Sequence, residues 1–229
     1  SDTSVGPEVT VNLAAVNTRL LELAEQQSED MKSQLIKAGV RIIHGEGRLD
    51  GPQRLVVATG KSGSDFDEVD ADTLVISVGA RPRMLDSAMP DGERILTWTQ
   101  LYTLDEVPEH LIVVGSGVTG AEFASAYNAL GSKVTVVEFM DRLIPGADPD
   151  IVKPLAKRIE KRYEKILLKT KVARIEPQTD GLKVTYEGEA APRPELFDYI
   201  LMAVGRRPNG KDINAQAAGV NVNERGYIP

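Results

Sequence analysis

The sequence predicts an α/β fold built on a parallel sheet, and three observations predict it. "LIVVGSGVTGAEF", Leu111 to Phe123, is an apolar run of the kind that a strand buried on both faces shows, followed by glycines spaced G-x-G-x-x-G and then a helical pattern. "KVTVVE" is a second apolar run, and it closes on Glu138. "TLVISVGARP" (Thr73 to Pro82) and "YILMAVGRRPN" (Tyr199 to Asn209) echo one another, each an apolar strand, then Val-Gly, one residue, Arg and Pro. In each, the proline fixes the exit of a chain bent out of a strand end.

The elements follow in order. From about Val9 to Ala38, apolar residues recur at Leu13, Val16, Leu20, Leu23, Ala24, Met31 and Leu35, and Gly39 stops the pattern, which predicts a long amphipathic packing helix. Short strands come next at "VRIIHGEG", "RLVVAT" and "TLVISVGARP", with a polar turn at "GKSGSD". "RPRMLDSAMPDGER" reads as a linker and "ILTWTQLYTL" as a short helix. After the strand and the glycines, Phe123, Ala124, Tyr127 and Leu130 have helical spacing, and Gly131 ends it as a C-cap. "DPDIVKPLAKRIEKRY" predicts a helix with Ile151, Leu155, Ile159 and Tyr163 inward, so that the Lys/Arg cluster from Lys153 to Lys171 is a solvated face. The runs "KILLKT", "KVARIE", "LKVTYEG" and "FDYILMAVG" complete the strands.

Composition bounds the function. At 229 residues the chain has room for one or two domains, and 41% hydrophobic residues can build a core. A net charge of −7 argues against nucleic acid as a partner. No apolar run approaches the ~20 residues of a membrane span, and the polar start "SDTSVGPEVT" is no signal peptide, so a cytoplasmic location and no membrane partner are expected. With no cysteine and only His44 and His110 as histidines, thiol catalysis, disulfides and zinc sites of ordinary type are excluded. No catalytic residue and no metal ligand is assigned.

The order strand, glycine turn, helix, strand, acid points to a dinucleotide. Gly115 permits the tight turn, Gly117 lets the backbone approach a pyrophosphate, and Gly120 lets the helix pack closely on the strand. Free N–H groups at the helix start and the helix dipole favour the phosphates. Glu138 follows the glycines at about the 20-residue spacing of the carboxylate that accepts from adenosine ribose hydroxyls. A methyltransferase also uses a Gly-rich turn and an acid ending the next strand.

The repeated Val-Gly-x-Arg-Pro turns favour a different family. Together with "VGSGVTGAEF", "ALGSKVTVVEFMDRLIPGADPDI", "LMAVGRRPNGK", "GVRIIHGEG" and "LVISVGARP", they make the chain resemble the pyridine nucleotide–disulfide oxidoreductases, FAD/NAD flavoproteins with two Rossmann-like domains, which implies a three-layer fold whose parallel sheet carries an antiparallel β-meander. Within that family the likeness is strongest to the dihydrolipoamide dehydrogenase type, and "PDGERILTWTQLYTLDEVPEHLIVVGSGVTGAEF" is also similar to a quinone-reducing relative. The resemblance implies an NAD-binding domain over residues 84–209, a partial FAD-binding domain over 1–83, and a return segment toward it over 210–229.

By resemblance, Gly115, Gly117 and Gly120 match the nicotinamide-cofactor glycines, Glu138 the ribose acid, and Glu122 and Gly205 positions near the nicotinamide. Glu122 is equally readable as a favourable acid in a helix first turn. Val118 stands where some relatives carry an aromatic lid over the flavin, and Val172 where a residue packs on adenine, or else as an ordinary core valine. Gly45, Gly47 and Gly79 match the flavin side, the first two as backbone contacts to its adenosine portion.

Relatives of this kind also carry a flavin pyrophosphate loop, a pair of redox cysteines and a dimer interface, for which no counterpart is found in this sequence. The expectation is a central fragment that binds NAD(H), is monomeric where the parent family is homodimeric, and is inactive alone. In the parent reaction, electrons move between a dithiol and NAD through FAD. The competing expectations are a non-catalytic NAD-binding module and a scaffold that binds nothing.

Overall fold

The computed structural model describes residues 11–60, 65–189 and 191–229. The expected helix start at Val9 and most of the turn after Gly60 lie outside them. The described chain divides into two compact units, one made of residues up to Ala24 with Arg83–Gly205, the other of Glu25–Pro82 with Arg206–Pro229. Helix α1, Leu13–Lys37, spans that division. Only Leu13 and Asn17 of α1 are buried, whereas Leu20, Leu23, Met31 and Leu35 of the expected packing stripe are exposed among the described residues. Periodicity reports which face a helix could bury; it carries no information about a surface to receive it.

In the second unit, β1 (Glu46–Leu49), β2 (Arg54–Thr59) and β3 (Asp65–Asp70) form an antiparallel sheet in that order. Leu49 packs in a small core with Ile213 and Ala215, and the carboxamide of Asn214 donates to the Leu49 carbonyl at 2.9 Å. The expected strands from Val40 to Gly45 and from Thr73 to Val78 are not strands here, and Val75 is 86% exposed. An apolar run becomes a strand only when a neighbour takes its N–H and C=O groups, and among the described residues no segment does so for these two runs. The repeated turns do pair. β4 (Ala80–Pro82) runs antiparallel to the strand Arg206–Pro208, with Arg81 opposite Arg207.

The first unit is the larger. Its elements are β5 (Ile95–Thr97), β6 (His110–Val114), α2 (Val118–Leu130), β7 (Lys133–Val137), α3 (Pro149–Ile159), β8 (Lys165–Leu167), β9 (Thr170–Gln178), β10 (Gly181–Gly188), β11 (Glu195–Phe197) and β12 (Tyr199–Met202). A five-stranded sheet has the order β5-β12-β6-β7-β8, and all its pairings are parallel. The meander β9-β10-β11 is antiparallel.

Alternation along the strands assigns the layers. Leu111, Val113, Val134, Val136 and Leu201 face a core shared with Ala124 and Tyr127 of α2 and Val152 and Ile159 of α3. Ile112, Val114, Val137, Ile200 and Met202 face the opposite core, which Val172, Leu182, Val184, Tyr186 and Phe197 of the meander region complete. The result is the three-layer, Rossmann-like α/β architecture, with helices on one face of the sheet and the meander on the other.

Local differences from expectation have local causes. "ILTWTQLYTL" is the strand β5 followed by a 3₁₀ turn at Gln100–Thr103, because Ile95 to Thr97 find β12 as a parallel partner. The carboxylate of Asp91 shapes the preceding turn by accepting from the N–H groups of Glu93, Arg94 and Ile95. In α3 the buried residues are Val152 and Ile159, with Tyr163 beyond the helix, while Ile151 and Leu155 are exposed. The basic cluster that follows includes Lys165, Lys169 and Lys171, paired with Glu195, Glu189 and Glu187.

His110, at the start of β6, lies with its ring centroid 4.4 Å from that of Phe197, and its Nε2 is 3.2 Å from the Thr135 hydroxyl. Burial holds its basicity below the ordinary value, against the opposing pull of Glu164, Glu195 and Asp198. A histidine kept neutral in the fold but free to protonate when unfolded contributes stability that is complete above about pH 6.5 and declines as pH falls below it. The melting temperature is therefore expected to drop between about pH 7 and 5.5, and to drop less steeply in His110→Gln. Parallel slopes for the two proteins would exclude His110 as the source.

Candidate nucleotide site

The site lies in the first unit, at the carboxyl ends of the central strands. From β6 the chain moves outward through β7 to β8, then returns through the meander to β12 on the other side of β6. The crevice outside β6 and β12 is therefore a topological switch point, where open α/β sheets bind ligands. The turn Gly115–Gly117 and the segment Ala203–Gly205 both occupy this end of the sheet.

Close packing explains two of the three glycines. Gly115 has φ +101°, and a Cβ there would strike the Ala203 carbonyl; its N–H donates to the Val137 carbonyl at 2.8 Å. A Cβ on Gly120 would strike the Gly115 carbonyl oxygen and come within 3.3 Å of the Ala203 Cβ. Gly117 differs, because a Cβ there would meet nothing within 4 Å. No packing requirement of the protein explains it, whereas a ligand backed against the turn would. Gly117 is also the N-cap of α2, so the unpaired N–H groups of the first helical turn face the same space.

Glu138 follows β7 directly and is only 7% exposed. Its Oε2 accepts from the Ser116 N–H and the Ser116 hydroxyl, both at 2.7 Å, and its Oε1 accepts from the Met140 N–H at 2.9 Å. The acid that sequence spacing selects is thus physically tied to the glycine turn. Ser116 is not singled out by the sequence reading, although its place between the first two glycines of the motif and before a helix is a signal for it.

The remaining residues are distributed as follows. Val118 opens α2 and is 64% exposed. Glu122 is exposed on α2 but stands past its first turn, so the reading of it as a first-turn acid does not apply. Gly205 is exposed, and its carbonyl accepts from the Arg83 N–H at 3.0 Å. Val172 is 5% exposed within the meander-side core, and its carbonyl accepts from the Ser87 hydroxyl at 3.4 Å.

Gly45, Gly47 and Gly79 belong to the second unit. A Cβ on Gly45 would strike the Ala58 carbonyl, one on Gly47 would touch Leu55 at 3.5 Å, and one on Gly79 would meet nothing within 4 Å. In the same unit the carboxamide of Asn209 donates to the Val78 carbonyl at 2.9 Å, while its Oδ1 is buried without a partner among the described residues. Among the described residues no group of His, Cys, Asp and Glu could hold a metal ion, and no helix is long and apolar enough to cross a membrane.

Comparison with known proteins agrees with this architecture. The family model described as pyridine nucleotide-disulphide oxidoreductase matches residues 4–229. A dihydrolipoyl dehydrogenase of Vibrio parahaemolyticus is 40% identical over 190 residues, covering 82% of this chain and 39% of that protein. An NAD(P)H dehydrogenase (quinone) of Mycobacterium tuberculosis is 38% identical over 226 residues, covering 96% of this chain and 45% of that protein. Among solved structures, LpdA from Mycobacterium tuberculosis superposes with a TM-score of 0.85 at 37% identity, over 96% of this chain and 48% of that one. The HOCl-induced flavoprotein disulfide reductase RclA from Escherichia coli superposes with a TM-score of 0.81 at 26% identity. The chain spans about half the length or less of the relatives it matches.

Proposed function

The chain belongs to the pyridine nucleotide-disulphide oxidoreductase family, and from that premise we propose that it is the NAD(H)-binding portion of a dihydrolipoyl dehydrogenase-like flavoprotein oxidoreductase. The observation that carries the reading is Gly117, a glycine without a packing reason, set at a helix N-terminus beside a buried carboxylate at the switch point. NAD, when bound, supplies the hydride chemistry; this chain's residues bind and orient it.

In this reading the first-turn N–H groups of α2 and the open backbone at Gly117 receive the pyrophosphate, and Glu138 accepts from the adenosine ribose. Glu122 and Gly205 border the nicotinamide end, Val118 leaves that end without an aromatic lid, and Val172 backs the adenine. In the parent protein Gly45, Gly47 and Gly79 lie toward the FAD. The parent reaction is electron transfer between a dithiol and NAD through FAD. A quinone-reducing parent is the second reading, favoured by the match of such a relative over 96% of the chain. Assaying the segment within its full reading frame, with a dithiol against a quinone, separates the two.

Cofactor choice tests the site. NAD or NADH is expected to bind about tenfold or more tightly than NADP, a difference of roughly 1.4 kcal/mol, because a 2′-phosphate would meet the Glu138 carboxylate and remove the hydroxyl it accepts from. Phe139, just past the strand, is exposed but uncharged, and Arg142, an exposed cation whose guanidinium donates to the Pro145 carbonyl at 2.9 Å, is the nearby group that could pair with a 2′-phosphate. Calorimetric titration of both cofactors into wild type and Glu138→Ala should show the preference and its loss. Equal affinities in the wild type would remove Glu138 from the site.

A further inference from the structure

Resting on the reading of Glu138 as the ribose acceptor, we infer that Ser116 is a positioning residue for cofactor specificity, holding the Glu138 carboxylate in the one orientation from which it reads the ribose. A serine hydroxyl has one proton to give, and an ionised carboxylate can only accept. The 2.7 Å contact therefore runs from Ser116 Oγ to Glu138 Oε2, and the same oxygen of Glu138 also takes the Ser116 N–H. With the Met140 N–H on Oε1, three donors occupy three of the about four acceptor positions of the carboxylate. One position on Oε1 is left for a ligand hydroxyl.

Ser116 also holds the loop after β7. Its carbonyl and hydroxyl oxygens both accept from the Ile144 N–H, at 3.2 and 3.3 Å. Ile144 has φ +43°, a conformation that β-branched residues rarely adopt and that persists only where neighbours impose it. Ser116 is 2% exposed, so water does not compete for these bonds. One buried hydroxyl thus joins the glycine turn, the ribose acid and the loop after β7. A glutamate has several rotatable bonds, and donors that hold it in place before the ligand arrives remove the cost of ordering it on binding.

Removing the hydroxyl leaves Glu138 with the two backbone N–H donors and loosens it, weakening both its attraction for a 2′-hydroxyl and its repulsion of a 2′-phosphate. Ser116→Ala is expected to lower the NAD-to-NADP affinity ratio about threefold, less than Glu138→Ala does, while the circular dichroism of the fold is retained. Ser116→Gly, which also lacks the hydroxyl and adds no bulk to the turn, should do the same and serves if the alanine variant does not fold. In a Glu138→Ala background, Ser116→Ala should leave the ratio unchanged, because the residue it acts through is gone. A wild type that binds NAD but whose ratio survives both hydroxyl-free variants, with NAD and NADP weakened equally, overturns the inference and leaves the site standing. An undiminished effect of Ser116→Ala in the Glu138→Ala background overturns it too. A wild type that binds no NAD overturns the site reading, and this inference with it.

Discussion

Gly120→Ala is expected to abolish measurable NAD binding, a loss of at least about a hundredfold or roughly 2.8 kcal/mol, and to destabilise the fold by about 1–3 kcal/mol. The added Cβ would strike the Gly115 carbonyl, which is backbone at the end of a buried central strand and cannot rotate away. Helix α2 would have to withdraw from β6, carrying with it the N–H groups that face the ligand. Gly117→Ala provides the contrast. Its Cβ meets nothing in the protein, so its stability cost should stay at the about 1 kcal/mol or less of a poorer N-cap, while NAD affinity still falls as the methyl enters the ligand's space. Chemical denaturation and calorimetry of the two variants test both halves. Equal stability of Gly120→Ala and wild type, or undiminished NAD binding by Gly117→Ala, would contradict the close-packing and open-space roles respectively.

The second large effect is an absence of turnover. Purified alone, the chain is expected to show no dithiol-dependent reduction of NAD, with or without added FAD. Electron transfer from a dithiol in this family's reaction needs a thiolate pair to pass electrons to the flavin, and the sequence contains no cysteine. The same preparation should elute from gel filtration without yellow cofactor, since Gly45, Gly47 and Gly79 offer backbone approach and no charged group for a flavin pyrophosphate. NADH formation above the buffer rate, or stoichiometric flavin, would refute these expectations.

Much of the candidate site is legible along the chain because its signals are local. Gly115, Gly117 and Gly120 lie within one turn, and a turn's backbone demands are set by its own residues. The apolar runs of β6 and β7 carried the same kind of information: strands buried on both faces of a sheet are mostly apolar, with a buried polar residue such as Thr135 given a partner. Those runs, the glycines and the repeated Val-Gly-x-Arg-Pro segments sufficed for the three-layer class and for the family.

Pairing was decided elsewhere. "TLVISVGARP" and "YILMAVGRRPN" look alike, yet Ile200 to Met202 form a central strand between β5 and β6 while Leu74 to Val78 form none. Hydrogen-bond partners are nonlocal, and a sequence run does not state whether one is present. Asn17 makes the same point: on an apolar helix face it looks misplaced, but its carboxamide donates to the Leu104 carbonyl at 2.8 Å from a buried position. Glu138 joins both kinds of information. Spacing nominated it as a ribose acid, and only the folded chain brings Ser116 and Met140 onto its two oxygens, because strand order places the end of β7 beside the turn that leaves β6.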